Sequence, residues 1–440
     1  MHQNIFSRQR HRERGQTILL VAISLVALLA MAALAIDVVT LYVASSQIQR
    51  ATDAAALAGA KAIADSGFTS LPSTDPNYNT AQTLAQTMAT TAVNSMVGTS
   101  AINLVSGQLP VMPAPPTFDF TTHPGSFQIT VSLKSANLPT FFSKIWSGSA
   151  PTVTASATAE AYNPANLPTT TPFTPISPTS VKPWLVANIN PVDGKPFVDT
   201  STWIVDSSII GGPAIDLVSA CRHPGTNRCR PSNPLTSASG QVQYVPAVVN
   251  TGNTQNVCPA CKGTTDYEQS IECADVATSY QVLSCGGGTV QIQWDDGINP
   301  GKPPGNNATA LGGECLINPL GTGQDILTEP NPIFSAPYQI KQQASGNLVT
   351  TSNSIATIPI LDVTSQPPNG GGPVTLDGFL QAFINEVDTG TGGSGTPPPA
   401  GSINITVLNI VGCSTANNGA TPVVGGAGTS PIPVRLITPP

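Results

Sequence analysis

Residues 10–64 read RHRERGQTILLVAISLVALLAMAALAIDVVTLYVASSQIQRATDAAALAGAKAIA, and the organisation of the whole chain turns on them. From Thr17 to Ile36 there is no charged residue, and Ser24 is the only polar interruption. Twenty helical residues span roughly 30 Å, the thickness of a bilayer's hydrocarbon core. In lipid a helix satisfies its own backbone hydrogen bonds. Arg8, Arg10, Arg12 and Arg14 precede the run, offset only by Glu13; Asp37 follows it, and no basic residue appears until Arg50. The positive-inside rule then places residues 1–14 in the cytoplasm, facing anionic lipid, and the chain beyond Asp37 outside. Tyr42 stands where an interfacial aromatic is expected. The rival reading is a cleaved signal peptide, with Ala33-Leu34-Ala35 as its A-x-A site. A signal's apolar core runs to about 7–15 residues, and this one is longer and continues as helix past the site. Either way the remaining chain is exported.

Beyond the apolar run, Leu41, Ala44, Ile48, Ala51, Ala55, Ala58 and Ala62 recur at alternating intervals of three and four. This is a heptad seam with mostly alanine knobs. Small seam residues let helix backbones approach closely. The seam packs either on the protein's own later strands or on helices of other subunits. No proline occurs from 16 to 70, and helix formers dominate, so one helix from Thr17 to Asp65, about 70 Å long, is expected, ending near Gly67.

These residues resemble the N-terminal module of TadG-like proteins of the Flp (Tad) pilus-assembly family. The resemblance is carried by Arg14-Gly15 before the run, Ile36-Asp37-Val38 at its end, Leu41-Tyr42, and the block Leu41 to Ala60 with Gln49, Ala51 and Asp53 to Ala58. It covers about 50 residues with certainty of pattern, and a "strand, FF, strand ending A-x-A-x-A" layout extends it to about residue 162. It implies a bacterial inner-membrane accessory protein of a pilus or secretion apparatus, with a pilin-like long helix and other Tad membrane proteins or pilin-like helices as partners. Type IV prepilins and TadE-like relatives carry a glutamate five residues beyond a glycine cleavage point. Here the fifth residue beyond Gly15 is Leu20. The departure argues for an anchor that stays uncleaved and is not polymerised. Some relatives carry a von Willebrand A domain with a D-x-S-x-S metal site. Asp206 and Ser208 fit that pattern, but Ile210 stands at the second serine, too little to hold a divalent ion.

Only 9% of residues are charged and 5% aromatic, with 42 Pro and 39 Gly, and the net charge is −7. Modest cores joined by extended loops are expected, and no electrostatic footprint for nucleic acid exists. After the turn-rich LPSTDPNYN, the residues Ala81, Leu84, Ala85, Met88, Ala92 and Met96 predict an amphipathic helix, its methionines core filler. FQITVSL (127–133) and TVTASATAEA (152–161) alternate as strands, joined by the apolar LPTFFSKIW (138–146). NPANLPTTTPFTPISPTSVKP (163–183) reads as an extended spacer. Beyond it, strands are expected at 184–189, 201–210, 242–249, 289–294, 354–363 and 403–412. Leu376, Phe379, Leu380, Phe383, Ile384 and Val387 at helical spacing predict a helix lying on that sheet.

All eight cysteines lie beyond residue 220: Cys221, Cys229, Cys258, Cys261, Cys273, Cys285, Cys315 and Cys413. An even count in an exported region points to disulfides, with Cys221–Cys229 a natural local pair. Cys258, Cys261, Cys273 and Cys285 as a four-thiolate zinc site is the alternative. Asp295-Asp296 before Gly297 reads as a turn. Of the four histidines, His2 and His11 are cytoplasmic, and His123 and His223 lack a partner motif. No nucleophile elbow, metalloprotease motif or phosphate loop occurs. No catalytic, cofactor or metal residue is assigned.

The expected fold is α+β. A long transmembrane helix continues into a pilin-like helix with antiparallel strands, and a β-rich, disulfide-stapled exported region follows. The expected divisions are a basic tail (1–15), the helix (16–66), an amphipathic helix with strands (67–162), a Pro/Thr-rich linker (163–183) and a cysteine-containing body (184–440). The expected function is a membrane-anchored, non-enzymatic accessory role in Tad/Flp pilus assembly or related secretion, through protein contacts. A membrane-anchored adhesin or binding protein is the alternative.

Overall fold

In the computed structural model the described residues are 6–71, 75–97, 108–120, 126–140, 148–163, 176, 178, 181–221, 228, 229, 231, 235–247, 261, 263, 265–273, 290–298, 308–319, 321, 323–328, 338–364, 371–388, 401–413 and 430–437. Helix α1 is one unbroken element, Phe6–Asp65, of 60 residues, or about 90 Å. It stops where Gly67 adopts a left-handed φ of 84°, a conformation that only glycine enters without strain. A short 3-10 turn, Phe68–Ser70, turns the chain back. Helix α2, Tyr78–Val97, then packs along α1. Its Ala81, Leu84, Ala85, Met88, Ala89 and Val93 are buried. The hydroxyls of Thr83, Thr87, Thr90 and Thr91, on its outer side, bond carbonyls one turn back.

The helix pair lies on a four-stranded antiparallel sheet: β1 (Thr117–Asp119), β2 (Ser126–Ser135), β3 (Val153–Tyr162) and β14 (Val434–Ile437), in the order β1-β2-β3-β14. The alternation expected of β2 is present, with Phe127, Ile129, Val131 and Leu133 all buried. Phe68, Tyr78, Phe120 and Phe127 meet with ring centroids 5.5–6.2 Å apart and close the end of this layer.

The second sheet holds β4 (Trp184–Ala187), β5 (Ile215–Ser219), β6 (Ser237–Ala238), β7 (Gln241–Pro246), β8 (Val290–Trp294), β11 (Ile355–Leu361), β12 (Gly372–Val387) and β13 (Ile403–Gly412). Its order β11-β4-β7-β5-β13-β12 is closed by a further β11–β12 pairing, so six strands form a ring. The β4–β11 and β5–β7 pairs are parallel and the other pairs of the ring antiparallel. Closure removes the free edges that an open sheet would expose. β6 adds to β7, and β8 extends β12 alongside β13's edge. Helices α3 (Asp266–Glu272) and α4 (Ala308–Ile317) pack on each other, α4 also against β12. A two-stranded piece pairs β9 (Ile326–Thr328) with β10 (Gln339–Lys341). One contiguous apolar core runs through both sheets, from Ile48 to Ile432.

Two expectations are corrected. The stretch Leu376 to Val387 is strand β12, not a helix. It is buried on both faces, which erases the period-two alternation. Register shifts at Gln381/Ala382 and Ile384/Glu386 also move the side-chain phase, leaving a three-and-four spacing by coincidence. Gly378 belongs to this geometry, since a Cβ there would collide with the Val411 carbonyl of β13. Residues 201–210 are likewise not a strand. Asp199 accepts hydrogen bonds from Ser201 and Thr202, Trp203 takes a left-handed φ of 60°, and Ser207–Ile209 form a 3-10 turn capped by Asp206. Local carboxylate turns displace the ladder there. Most of 163–183 and 141–147 lie outside the described residues. Strand β14 returns from the far end of the chain to pair with β3, so the body is tied back onto the N-terminal layer.

Candidate functional site

Helix α1 divides into two stretches of different surface. Arg8, Arg10, Arg12 and Arg14 occupy its first turns, and Gly15 has open space around its Cα. From Ile18 to Ile36 every large apolar side chain is between 51% and 71% exposed. Two hydroxyls of this part of α1 are satisfied inside the helix: Ser24 Oγ donates to the Val21 carbonyl and Thr40 Oγ1 to that of Ile36, each at 2.9 Å. The stretch therefore presents apolar surface with no side-chain hydroxyl left unmet, as a bilayer requires. It is the one described helix long and apolar enough to cross a membrane, and it fits a single-pass anchor. Asp37, at its end, is 2% exposed, whereas Tyr42 is 76% exposed.

Apart from Asp37, the buried face of α1 begins at Ala44, about 12 Å along the helix from Ile36. Ala44, Ile48, Ala51, Ala55 and Ala62 are buried, and Leu41 and Ala58 half-buried. They pack against α2, β2, β3 and β14 of the same chain. Asp53 lies beside this face and accepts a hydrogen bond from Gln49 Nε2 at 2.7 Å. Gly59 was not singled out by the heptad pattern, yet it sets the closeness of the packing. A Cβ there would sit 2.5 Å from Ile129 Cδ1 and 3.1 Å from the Ala85 carbonyl. Its sequence signal is its place inside an otherwise alanine-rich helix, where glycine costs about 1 kcal/mol relative to alanine and calls for a packing reason.

Where α1 ends, a buried polar cluster joins it to the ring. Asp65 pairs with Lys61 and accepts from Gln381 Nε2 at 3.0 Å. Asn409 of β13 donates to the Ala64 carbonyl at 2.6 Å and to Gln381 Oε1 at 2.5 Å. Its Oδ1 accepts from Thr69 and Ser70 at 2.7 and 2.8 Å. Asn163 Nδ2 adds bonds to Ser70 Oγ and the Ile410 carbonyl. Asn409 thus uses both its donors and its acceptor in a site without solvent. The hint in sequence is a polar residue flanked on both sides by apolar ones in each of two apolar strands, Gln381 in FLQAF and Asn409 in VLNIV.

Among the cysteines, Cys221 bonds Cys229 and Cys261 bonds Cys315, with Cα separations of 4.5 and 5.8 Å. Cys273 and Cys413 are disulfide-bonded as well. Cys258 and Cys285 lie outside the described residues. With Cys261 and Cys273 in disulfides, the four-thiolate grouping of Cys258, Cys261, Cys273 and Cys285 does not form. Asp206 acts as a turn cap, its carboxylate accepting from Ser208 N and Asn190 Nδ2. Asp295 closes its turn by accepting from Gly297 N. Two buried ionisable groups are perturbed. Burial, with Asp362 nearby, raises the Asp377 carboxyl to about 7, while it accepts from Asn188. Burial lowers the Lys182 ammonium to about 8, against the pull of Glu272, and it donates to the Ile271 carbonyl. Both groups are held by fold-internal bonds on separate elements.

No curated protein and no solved structure matches the chain. Residues 15–62 match the family model Tad, described as "Putative Flp pilus-assembly TadE/G-like". The match runs from the glycine before the exposed apolar stretch to Ala62 in the buried face, so the N-terminal module of this chain is a Tad-type, pilus-assembly-related module.

Proposed function

We propose that this chain is a membrane-anchored accessory protein of Tad/Flp pilus assembly or a related secretion apparatus, working through protein contacts and not as an enzyme. One observation carries the reading. The family match at 15–62 coincides with the helix that pairs an exposed, membrane-length apolar surface with a buried alanine face. In this reading α1 crosses the bacterial inner membrane once, its arginines staying in the cytoplasm and its body on the opposite side. The disulfides of the body support that side, where oxidation is sustained. The 12 Å between apolar run and buried face keeps the body close to the bilayer surface. Its partners are other pilus-assembly membrane proteins, met at that surface.

Affinity purification of the tagged full chain from solubilised membranes tests the reading. Recovery of pilus-assembly proteins is expected. An intact chain in the membrane fraction that brings none of them down would sink the assignment to pilus assembly.

A further inference from the structure

We propose that Asp377 and Asn188 form a proton-controlled latch, which keeps the loop 189–214 closed on the rim of the ring while the Asp377 carboxyl is protonated and releases it when that carboxyl ionises beside Asp362. The latch needs only the folded body and stands apart from the pilus-assembly reading above.

The ends of β4, β11, β12 and β13 meet at this rim. Asn188 N donates to the Leu361 carbonyl at 3.1 Å, Asp362 N to that of Thr375 at 3.0 Å, and Cys413 N to that of Asp377 at 2.7 Å. The side chain of Asn188 reaches the loop. Its Oδ1 accepts from Val198 N at 3.0 Å, and its two amide protons go to the Val198 carbonyl at 2.8 Å and to Asp377 Oδ2 at 2.7 Å. Val198 packs over Gly378 and Gly412, where added Cβ atoms would lie 3.2 and 3.1 Å from its methyls. Asp377 therefore orients the one amide that grips the loop on both sides of a residue. The loop moves with Val198 as a unit, because Asn190 Nδ2 donates to Asp206 Oδ2, Asp199 N to the Ile204 carbonyl and Asp206 N to the Phe197 carbonyl. It returns to β5 through Gly211, whose φ of 77° suits a hinge. At its outer end Val192 and Ile204 are 54% and 62% exposed, so the latch sets how firmly an apolar tip is held.

The carboxyl is placed to keep its proton. Asp377 is buried, accepts from one side-chain donor, and has a second carboxyl, Asp362, as the charged group acting on it. The flanking segments 363–376 and 412–429 carry no Lys, Arg or His, and apart from Asp377 itself the stretch 363–385 carries no acid. On the loop, Lys195 pairs with Asp193 and is drawn also to Asp206, while Asp199 accepts from Ser201 and Thr202. A buried carboxylate needs several donors or a cation to stay ionised, and water supplies the donors once the loop lifts. Burial, then Asp362, raises the closed form to about 7, whereas a hydrated aspartate titrates near 3.8. Opening therefore becomes about tenfold easier per pH unit between these values and is level above 7.

The test is amide hydrogen exchange on the full chain in detergent, read by mass spectrometry from pH 4.5 to 8.5 and corrected for the intrinsic rate of exchange at each pH. Peptides covering 197–206 are expected to open about tenfold more per pH unit up to 7 and to level off there. Peptides of β12 and β13 are expected to show no such rise. In Asp377→Asn the loop should stay protected with no pH dependence. In Asp362→Asn the loop should level off at a lower pH, because a like charge is gone. A rise that persists in Asp377→Asn, a rise shared equally by β12 and β13, or a loop whose corrected opening does not change with pH overturns the proposal. If Asp377→Asn does not fold, Asp362→Asn decides, since a levelling-off at an unchanged pH shows that the pair does not govern the loop.

Discussion

The two halves of α1 share one backbone, but they meet opposite surroundings. The stretch from Ile18 to Ile36 is built of Leu, Ile and Val and leaves them exposed. The stretch from Ala44 to Ala64 is built largely of alanine and is sealed against α2 and the sheet. Side-chain size separates their apolar faces. Large side chains gain from contact with lipid tails that conform to any shape. A packed protein layer needs small residues to bring rigid elements together, and Gly59 marks its tightest point.

This contrast is open to direct attack. Leu25→Arg with Leu28→Arg places two charges mid-membrane, at a combined cost of about 6 kcal/mol. Loss of the chain from the membrane fraction is expected, while the thermal unfolding of the body in detergent stays unchanged. Next in size is Asn409→Ala, which strands the Ala64 carbonyl, two hydroxyls and the Gln381 amide in a dry site. A loss of about 3 kcal/mol is expected in body stability, with membrane retention intact. Ala55→Leu forces extra volume into the sealed face and should cost about 2 kcal/mol, again without affecting insertion. If Ala55→Leu instead releases the chain from the membrane, the division of α1 is drawn in the wrong place. The smallest effect lies far from α1. The folded pKa of Asp377, near 7, exceeds the ordinary aspartate value of 3.8. Its contribution to stability is complete below the lower value, is lost as pH rises through 7, and is constant above. Asp377→Asn should flatten that slope and gain about 1 kcal/mol at pH 8, seen as a higher unfolding temperature in detergent.

Much of this was legible because it is local. The stop of α1 near Gly67, α2 from its Ala and Met spacing, and strands β2, β3, β4, β11 and β13 all follow from local patterns, whereas the start of α1 at Phe6, inside the expected basic tail, does not. The pairing of Cys221 with Cys229 is local too. What escaped depends on distant partners. The helical look of Leu376 to Val387 is undone by β11 and β13 on either side of it. The role of Asn409 depends on Ala64 and Ser70, and that of β14 on β3. At 201–210 the failure was short-range but chemical, because Asp199 and Asp206 turn the backbone before a ladder can form. For α1, periodicity marked the seam and left its partner open; α2, β2, β3 and β14 cover it within the chain.

The bond from Asn409 to the Ala64 carbonyl joins residues 345 positions apart. At 5–20 residues per second, roughly 17–70 s separate their synthesis on the ribosome. Throughout that interval the alanine face of α1 and the hydroxyls of Thr69 and Ser70 lack their final cover. Completion of the first module is therefore timed by delivery of the last strands, and a chain stalled before β13 lacks the Asn409 partner of Thr69 and Ser70 and the β14 cover of α1.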